Sequence, residues 1–295
     1  MKAIEIQGLT KIYHKIPAID AIDLIVEEGE FYGFIGPNGA GKSTAIKCLL
    51  NFISPNAGTT KILGQDCQKQ NKEIKKSVGY ISSDVRFYPK MTTDEIITYT
   101  AEMHGLTDIE KKKKYYYEMF EVDHKKKLGE MSLGNKKKVA LIAGLIPNPK
   151  LIILDEPTNG LDPLMQHRLF DELNRRNEAG MTVFLSSHDL NEVQNYCTKA
   201  AFIKEGKIIT VEDIEKDKAD GKVIQLLGNN LPLLALEKSG AIVLKHELNK
   251  VRLLYNGNIQ TILPLLQNPE IQDITITNQQ LEDKFMTLYE HETKK

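Results

Sequence analysis

The residues best suited to chemistry lie in one glycine-rich segment, GPNGAGKS at positions 36–43. Gly36, Gly41, Lys42 and Ser43 meet the pattern G-x-x-x-x-G-K-[ST]. Glycines let backbone amides point inward at a phosphate, the lysine can reach the terminal phosphates, and the serine hydroxyl can hold Mg²⁺. Pro37, Asn38, Gly39, Ala40 and Thr44 complete this candidate phosphate-binding set. The alternative interpretation is an idle glycine turn.

A second candidate is the segment LIILDEP at 151–157, an apolar run that ends in two carboxylates. Asp155, at the end of a strand, can lie beside Mg²⁺. Glu156 points elsewhere and can act as general base on a water that attacks the terminal phosphate. Taken alone, such a pair is more often a solvated loop or a helix cap, but an upstream phosphate loop favours the catalytic interpretation.

The elements that must position these residues follow from the apolar pattern. Residues 31–35 form a short apolar strand that enters the loop, and a helix follows until Ser54-Pro55-Asn56 stops it. The runs 151–155 and 182–187 lack alternation, which predicts strands buried on both faces of a parallel sheet. A hairpin turning at Glu205-Gly206 follows them.

Two other regions flank this core. AIEIQGLTKIY and AIDAIDLIVEEGE alternate on either side of a predicted turn at Ile16-Pro17, which indicates an antiparallel start. Residues 84–147 are predicted to be mostly helical, with a capping box at Thr92 and Glu95 and later helices over 108–122 and 135–146.

The C-terminal part has a different texture. A polar stretch, EDIEKDKADGK at 212–222, is a plausible linker. Beyond it the predicted order is β-α-β-β-α-β, the order of a ferredoxin-like fold, closed by a last amphipathic helix, QQLEDKFMTLYE. We expect domains at 1–215 and 220–295, with an interaction or dimer-contact role for the second.

Composition limits the function classes. The 39 basic and 40 acidic side chains give a net charge of -1, so no global basic field exists to recruit nucleic acid. The sequence contains no apolar run of the roughly 18–20 residues that span a bilayer as a helix. Cys48, Cys67 and Cys197 show no metal or redox spacing and suit a reducing cytosol.

These motifs, with MSLGNKKKVAL at 131–141, resemble the nucleotide-binding domain of ABC transporters over residues 1–215. The resemblance implies an α/β P-loop NTPase fold of the ABC ATPase type, with a mixed sheet core, an antiparallel β subdomain and a helical subdomain at about 84–147. It implies ATP and Mg²⁺ as cofactors, bound by the loop, by Ser43 and by Asp155. Glu156, His188 and Lys42 are then the catalytic set.

The resemblance assigns further residues. Tyr13 takes the place of the ring that stacks on adenine, and Ser132 and Gly134 would contact the γ-phosphate held by a second subunit. Gly160-Leu161-Asp162 resembles the D-loop. Each has a plainer alternative: Tyr13 as a packing aromatic, His188 as a structural residue or cap, and Asp162 as the start of a helix.

Three positions depart from the family pattern. Ser83 stands where the family has a glutamine that touches magnesium and senses the membrane partner, and serine is too short to reach in the same way. The signature has Leu133 in place of glycine and Asn135 in place of glutamine. Hydrolysis is expected to survive these changes.

The resemblance also implies partners: a separate polytopic membrane permease docked near Ser83 and the following helices, and a second ATPase subunit, identical or similar. The chain would be cytoplasmic and peripheral on the inner face of the membrane. Segment 87–92 and the C-terminal tail with its closing helix resemble the ATPases of ABC-2-type exporters, a group that handles antimicrobial peptides, other drugs and lipids. The alternative is a soluble ABC ATPase acting on nucleic acid or ribosomes, which the near-zero charge disfavours.

The lysine runs 111–114 and 125–127 indicate a solvated charged face. The alternatives are contact with lipid headgroups and contact with nucleic acid, the latter aided by base stacking on Tyr115-Tyr116-Tyr117.

Overall fold

The computed structural model describes residues 1–214 and 221–278. Internal contacts divide the chain into two units, Met1–Val211 and Glu212–Lys295. Part of the predicted linker and all of the predicted last helix at 279–290 lie outside the described residues. The domain bounds of 1–215 and 220–295 remain a prediction.

The elements of the first unit follow in chain order. Its strands are β1 (Lys2–Tyr13), β2 (Ile16–Glu27), β3 (Phe31–Ile35), β4 (Ala57–Ile62), β5 (Gln65–Asp66), β6 (Val78–Ile81), β7 (Leu151–Asp155), β8 (Thr182–Ser187), β9 (Lys199–Lys204) and β10 (Lys207–Asp213). Its helices are α1 (Lys42–Leu49), α2 (Asn71–Ser77), α3 (Thr93–Met103), α4 (Glu110–Met119), α5 (Leu133–Leu145), α6 (Pro163–Glu178) and α7 (Leu190–Tyr196), with a 3-10 turn at Leu128–Glu130.

A six-stranded sheet, in the order β10-β9-β3-β8-β7-β6, forms the centre of this unit. The neighbours from β9 to β6 pair in parallel, and every residue of β3, β7 and β8 is buried. In register, Ile35 lies beside Ser187, and Asp155 lies beside Ser186. The carboxyl ends of these strands therefore meet at one sheet edge, as the unalternated apolar runs predict.

A second, antiparallel sheet has the order β2-β1-β4-β5. The predicted turn at Ile16-Pro17 is wrong, because both residues belong to β2 and the chain reverses at His14-Lys15. These two residues have φ values of 47° and 70°, which gives a two-residue turn whose twist matches that of the flanking strands. β4 and β5 lie outside the predicted elements.

The helix after the glycine-rich loop ends earlier than predicted. α1 ends at Leu49 rather than at Ser54-Pro55-Asn56, because Asn51 takes a left-handed φ of 54°. The amide of Phe52 then donates to the carbonyl of Lys47 at 2.8 Å, and this closes the helix end. α1 and both sheets share one apolar core that includes Ile4, Leu24, Phe34, Ile46, Ile153 and Phe184.

The helical layer contains α3, α4 and α5. The capping box at α3 is confirmed, since Thr92 and Glu95 exchange side-chain and backbone hydrogen bonds. The interpretation of the run 111–114 as a solvated face is wrong for Lys113, which is buried and pairs with Asp94 at 2.8 Å and Glu110 at 3.0 Å. Its ammonium stays buried because two carboxylates replace water.

The three adjacent tyrosines of α4 face different partners. Tyr116 is buried and donates to Glu172 on α6, and Tyr115 donates to the other oxygen of that carboxylate. Tyr117 stacks on His124 with ring centroids 5.2 Å apart, and its hydroxyl donates to Asp94. The three tyrosine rings therefore pack within the helical layer and against α6.

Glu172 is the anchor of that contact. Its side chain has no exposed surface, and it accepts hydrogen bonds from Arg175 at 2.8 Å and Arg176 at 2.7 Å. Burial by itself would raise the pKa of Glu172, but hydrogen bonds from the two arginines and Tyr116 outweigh it and lower the pKa to about 2.

The second unit has four strands and two helices in the described residues. They are β11 (Lys222–Gly228), α8 (Leu233–Lys238), β12 (Ile242–Glu247), β13 (Lys250–Tyr255), α9 (Ile259–Leu266) and β14 (Ile271–Asn278). The sheet order β12-β13-β11-β14, with antiparallel neighbours, is that of the predicted ferredoxin-like fold. Among the described residues, no helix has the length and apolar character that a bilayer span requires.

The buried carboxylate of Glu172 leads to a stability prediction. Glu172→Gln removes the negative charge facing two arginines and is expected to lower the free energy of unfolding by about 3 kcal/mol. Because the folded pKa lies below the unfolded value, this contribution is present above about pH 4.5 and is lost as the pH falls towards about 2.

Urea unfolding followed by circular dichroism across this pH range measures both effects. Glu118→Gln on α4 is the matched control, since its side chain is 68% exposed. Equal stability losses in the two variants would contradict the assignment.

Candidate functional site

The glycine-rich loop connects β3 to α1 at the carboxyl edge of the central sheet. Gly41 has a φ of 107°, and a β-carbon there would lie 2.5 Å from the Ala18 carbonyl oxygen, so only glycine fits. Lys42 is 4% exposed, and its Nζ donates to the carbonyl oxygens of Gly36 at 2.6 Å and Pro37 at 3.2 Å. The loop thus encloses its own cation.

Asp155 lies at the end of β7 and is 1% exposed. Its Oδ1 accepts hydrogen bonds from the hydroxyls of Ser43 at 3.1 Å and Ser186 at 3.2 Å. Its Oδ2 accepts one from Ser83 at 3.1 Å. The structure therefore brings the serine of the phosphate loop and the strand-end carboxylate together, as their motifs predict.

Glu156 turns away from Asp155 because its backbone has a left-handed φ of 49°, a strained conformation for a residue with a side chain. Its Oε1 lies 3.5 Å from Lys42 Nζ and 3.6 Å from His188 Nδ1. Its Oε2 accepts a hydrogen bond from Asn159 at 2.7 Å. The carboxylate is consequently held between a lysine and a histidine.

A cavity of about 230 Å³ is lined by Lys42, Ser43, Ser83 and Glu156, whereas Asp155 and His188 are not part of its lining. The lining residues come from β2, the glycine-rich loop, the start of α1, the loop after β6 and the residue after β7: Ala18, Asn38, Gly39, Gly41, Lys42, Ser43, Thr44, Ser83 and Glu156. An anion held here would meet the buried ammonium of Lys42 and the amino-terminal end of α1.

The donor set fits Mg²⁺. Oxygen ligands suit this ion, and the Ser43 hydroxyl faces the cavity while its partner Asp155 supplies a carboxylate. No cluster of three or more histidine, cysteine or acidic side chains in residues 1–214 and 221–278 forms a separate metal site. Ser43 and Asp155 would hold the ion, which would neutralise phosphate charge when bound.

Ser83 reaches the site despite its short side chain. The sequence predicts that serine is too short to contact magnesium as glutamine does. In the structure the Ser83 hydroxyl donates to the Asp155 carboxylate, and the residue also lines the cavity. The loop after β6 therefore stays connected to the candidate metal site.

The signature residues lie outside this cavity. Ser132 caps α5, accepting a hydrogen bond from the Asn135 amide at 3.3 Å. A β-carbon on Gly134 would lie 2.5 Å from the Gly160 carbonyl oxygen, so the signature and the D-loop touch within one chain. Asp162 caps α6, as the plainer alternative holds. The assigned role of Ser132 and Gly134 in a second site stays a prediction.

Tyr13 also lies outside the lining of the cavity. It ends β1, its side chain is 43% exposed, and the Lys11 ammonium lies 5.1 Å from its ring centroid. The ring is accessible, and its role on adenine stays a prediction.

Sequence reasoning missed three residues of the site. Ser186 supports Asp155, Asn159 holds Glu156, and Lys137 on α5 donates from its Nζ to the Ser82 carbonyl oxygen at 2.9 Å. Burial lowers the pKa of Lys137 to about 8, and the nearby Asp155 and Glu156 carboxylates oppose that fall. The run of three lysines at 136–138 gives no signal that two of its members, Lys137 and Lys138, are buried.

Comparison with known proteins extends these observations. Residues 19–159 match the family model described as ABC transporter. The bacitracin transport ATP-binding protein BcrA of Bacillus licheniformis is 34% identical over 246 residues, which cover 80% of this chain and 78% of that protein. The linearmycin resistance ATP-binding protein LnrL of Bacillus subtilis is 31% identical over 212 residues, covering 70% and 68%.

The fold of this chain is similar to that of a solved structure. The dimeric structure of MJ0796, a bacterial ABC transporter cassette, has a TM-score of 0.65 and 26% identity, and the match covers 72% of this chain and 98% of that one. The fold class expected from the sequence is confirmed.

The two hydroxyls on Asp155 Oδ1 allow a paired prediction. Ser43→Ala is expected to raise the Mg²⁺ concentration needed for nucleotide binding by roughly tenfold. Its effect on stability is expected to be small, because Ser43 lines the cavity, where water can take over its hydrogen bond to Asp155. Ser186→Ala is expected to lower the free energy of unfolding by about 2 kcal/mol, because it leaves a buried carboxylate short of a donor.

Fluorescence titration of a nucleotide analogue at varied Mg²⁺ and urea unfolding measure the two effects. Each variant serves as the control for the other. If both variants shift the metal dependence equally, the division of roles between the two serines is wrong.

Proposed function

The chain belongs to the ABC transporter family, and we propose that it is the ATP-hydrolysing subunit of an exporter, powering a separate membrane-spanning subunit. The family membership rests on the relatives that share at least 31% identity over two thirds or more of both chains. Export is supported by relatives whose names include bacitracin transport, linearmycin resistance and a probable multidrug transporter of Escherichia coli.

The site supports the following division of roles. The loop amides and Lys42 would bind the β- and γ-phosphates of ATP, and Ser43 with Asp155 would hold Mg²⁺. Glu156 would accept the proton of the attacking water, and His188 would contact the γ-phosphate. Mg²⁺ would neutralise the phosphate charge when bound.

The observation that carries the proposal is the position of Glu156. Its Oε1 lies 3.5 Å from the ammonium of Lys42, the group that would hold the terminal phosphate. A general base must stand within one water molecule of that phosphate. The Asn159 amide donates to the other carboxylate oxygen at 2.7 Å and helps to hold it there, and His188 Nδ1 lies 3.6 Å from Oε1.

We infer that two such subunits pair around ATP. Ser132 and Gly134 lie outside the cavity that Lys42 lines, which fits a role across a subunit interface. Leu133 between them is 60% exposed, although leucine ordinarily buries its side chain. The dimeric ABC transporter cassette that this fold resembles supports the same arrangement.

The membrane-spanning partner is proposed to dock in a groove between α2 and α3. This groove has a volume of about 410 Å³ and is lined by Lys72, Lys75, Lys76, Tyr99, Thr100, Met103 and His104. Tyr99 is 55% and Met103 is 70% exposed, so an apolar surface stands uncovered beside three lysines. An amphipathic cytoplasmic segment of a permease, apolar with acidic flanks, fits this chemistry and would place the chain on the inner membrane face.

The pairing proposal predicts the behaviour of Glu156→Gln. Removing the base is expected to reduce hydrolysis by roughly a hundredfold or more while ATP binding persists, so the ATP-bound dimer should accumulate. Sedimentation velocity with saturating ATP and Mg²⁺ measures the dimer fraction.

The double variant Glu156→Gln with Lys42→Ala is the control, because it loses the phosphate-binding ammonium and should stay monomeric. A Glu156→Gln protein that remains monomeric with ATP bound argues against pairing of identical subunits. Normal hydrolysis by Glu156→Gln would overturn the assignment of the base.

The docking groove gives a separate prediction. Met103→Glu places a charge in the apolar part of the groove and is expected to weaken assembly with the membrane subunit by roughly tenfold, with ATP hydrolysis by the isolated chain unchanged. Co-purification from detergent-solubilised membranes measures assembly.

Ile25→Glu, at a β2 position that is 50% exposed, is the matched control and should assemble normally. If Met103→Glu assembles as well as this control, the partner docks elsewhere.

A further inference from the structure

Lys137 is a lysine whose burial the proposed mechanism does not explain. It lies in the first half of α5 and is 1% exposed, whereas lysine rarely loses its hydration without a carboxylate partner. Its Nζ donates to a neutral group, the Ser82 carbonyl oxygen, at 2.9 Å. The carboxylates that act on it electrostatically are those of Asp155 and Glu156.

The hydrogen bond joins two parts of the site. Ser82 precedes Ser83, whose hydroxyl donates to Asp155 Oδ2 at 3.1 Å. The order of contacts therefore runs from α5 through the Lys137 ammonium to the Ser82–Ser83 backbone, and from there to the candidate metal carboxylate. Ser83 is a short residue on a loop, and a fixed backbone is what keeps its hydroxyl within reach.

We propose that Lys137 is a positioning residue with two effects on the proposed ATP site. Its hydrogen bond to Ser82 fixes the loop that presents Ser83 to Asp155, and its charge weakens the attraction of the site for Mg²⁺. This inference rests on the proposed function, because both effects act on nucleotide hydrolysis.

The charge effect follows from Coulomb's law. A buried ammonium beside two carboxylates partly cancels the field that would attract a divalent cation, and burial limits the screening of that effect by salt. The positional effect follows from geometry, since a loop that loses its anchor lets the Ser83 hydroxyl move from Asp155. A purely structural lysine would influence stability and leave metal affinity unchanged.

Two variants of the full chain separate these effects. Lys137→Met keeps an apolar stem but removes the charge and the donor. Lys137→Gln removes the charge and keeps a neutral donor. Lys112→Met, at an exposed position of α4, is the matched control for the same chemical change.

The first measurement is binding of Mn²⁺, as a probe for Mg²⁺, by electron paramagnetic resonance with a non-hydrolysable ATP analogue. Both Lys137 variants are expected to bind Mn²⁺ more tightly by roughly three- to tenfold. The second measurement is kcat and KM for ATP. Lys137→Met is expected to lose roughly tenfold in kcat, and Lys137→Gln clearly less.

The results decide the proposal even if Lys137→Met folds poorly, because Lys137→Gln alone tests the charge. The proposal is overturned if Lys137→Gln binds Mn²⁺ with the same affinity as the wild type and the Lys112→Met control. Equal kcat losses in two folded Lys137 variants would remove the loop effect. A wild-type chain without ATPase activity would instead overturn the proposed function.

Discussion

The buried carboxylate of Asp155 is the contact on which the rest of the site depends. A carboxylate with 1% exposure is costly to bury unless it accepts several hydrogen bonds. Three hydroxyls supply them, from Ser43 at the start of α1, Ser186 in β8 and Ser83 after β6. The Asp155 carboxylate, at the end of β7, therefore connects by hydrogen bonds the start of α1, the neighbouring strand β8 and the loop that follows β6.

The charges around this carboxylate suit the proposed binding of an anion together with a cation. Glu156 pairs with Lys42, and both Asp155 and Glu156 act electrostatically on Lys137, so two acidic groups stand against two basic ones. The Lys42 ammonium already bonds to loop carbonyls, and binding a phosphate would exchange those contacts for charged ones. The acidic and basic side chains around the cavity thus nearly cancel in charge, so the site does not present a strong positive or negative charge.

Much of this arrangement could be predicted from short motifs. The strands at 151–155 and 182–187 have the predicted bounds, because an apolar run that enters a polar site leaves little choice of its ends. The β-α-β-β-α-β order of the C-terminal part is likewise confirmed over residues 221–278. Errors arose where two local signals compete. Ile16-Pro17 has the composition of a turn, yet the turn lies at His14-Lys15. Likewise, the left-handed Asn51 ends α1 before the chain reaches Pro55.

The sequence by itself determined the chemistry of the loop 36–43, the acidic pair at 155–156 and the family, since each depends on residue types at fixed spacing along the chain. Tertiary structure decided which of many serines and lysines join them. Ser186 and Ser83 approach Asp155 across strands, and Lys137 reaches Ser82 from a helix 55 positions away. Identical lysines at 111–114 and 136–138 differ in burial because helix packing selects one face. The packing of helices and strands sets the contacts between distant segments, and local sequence patterns do not specify that packing.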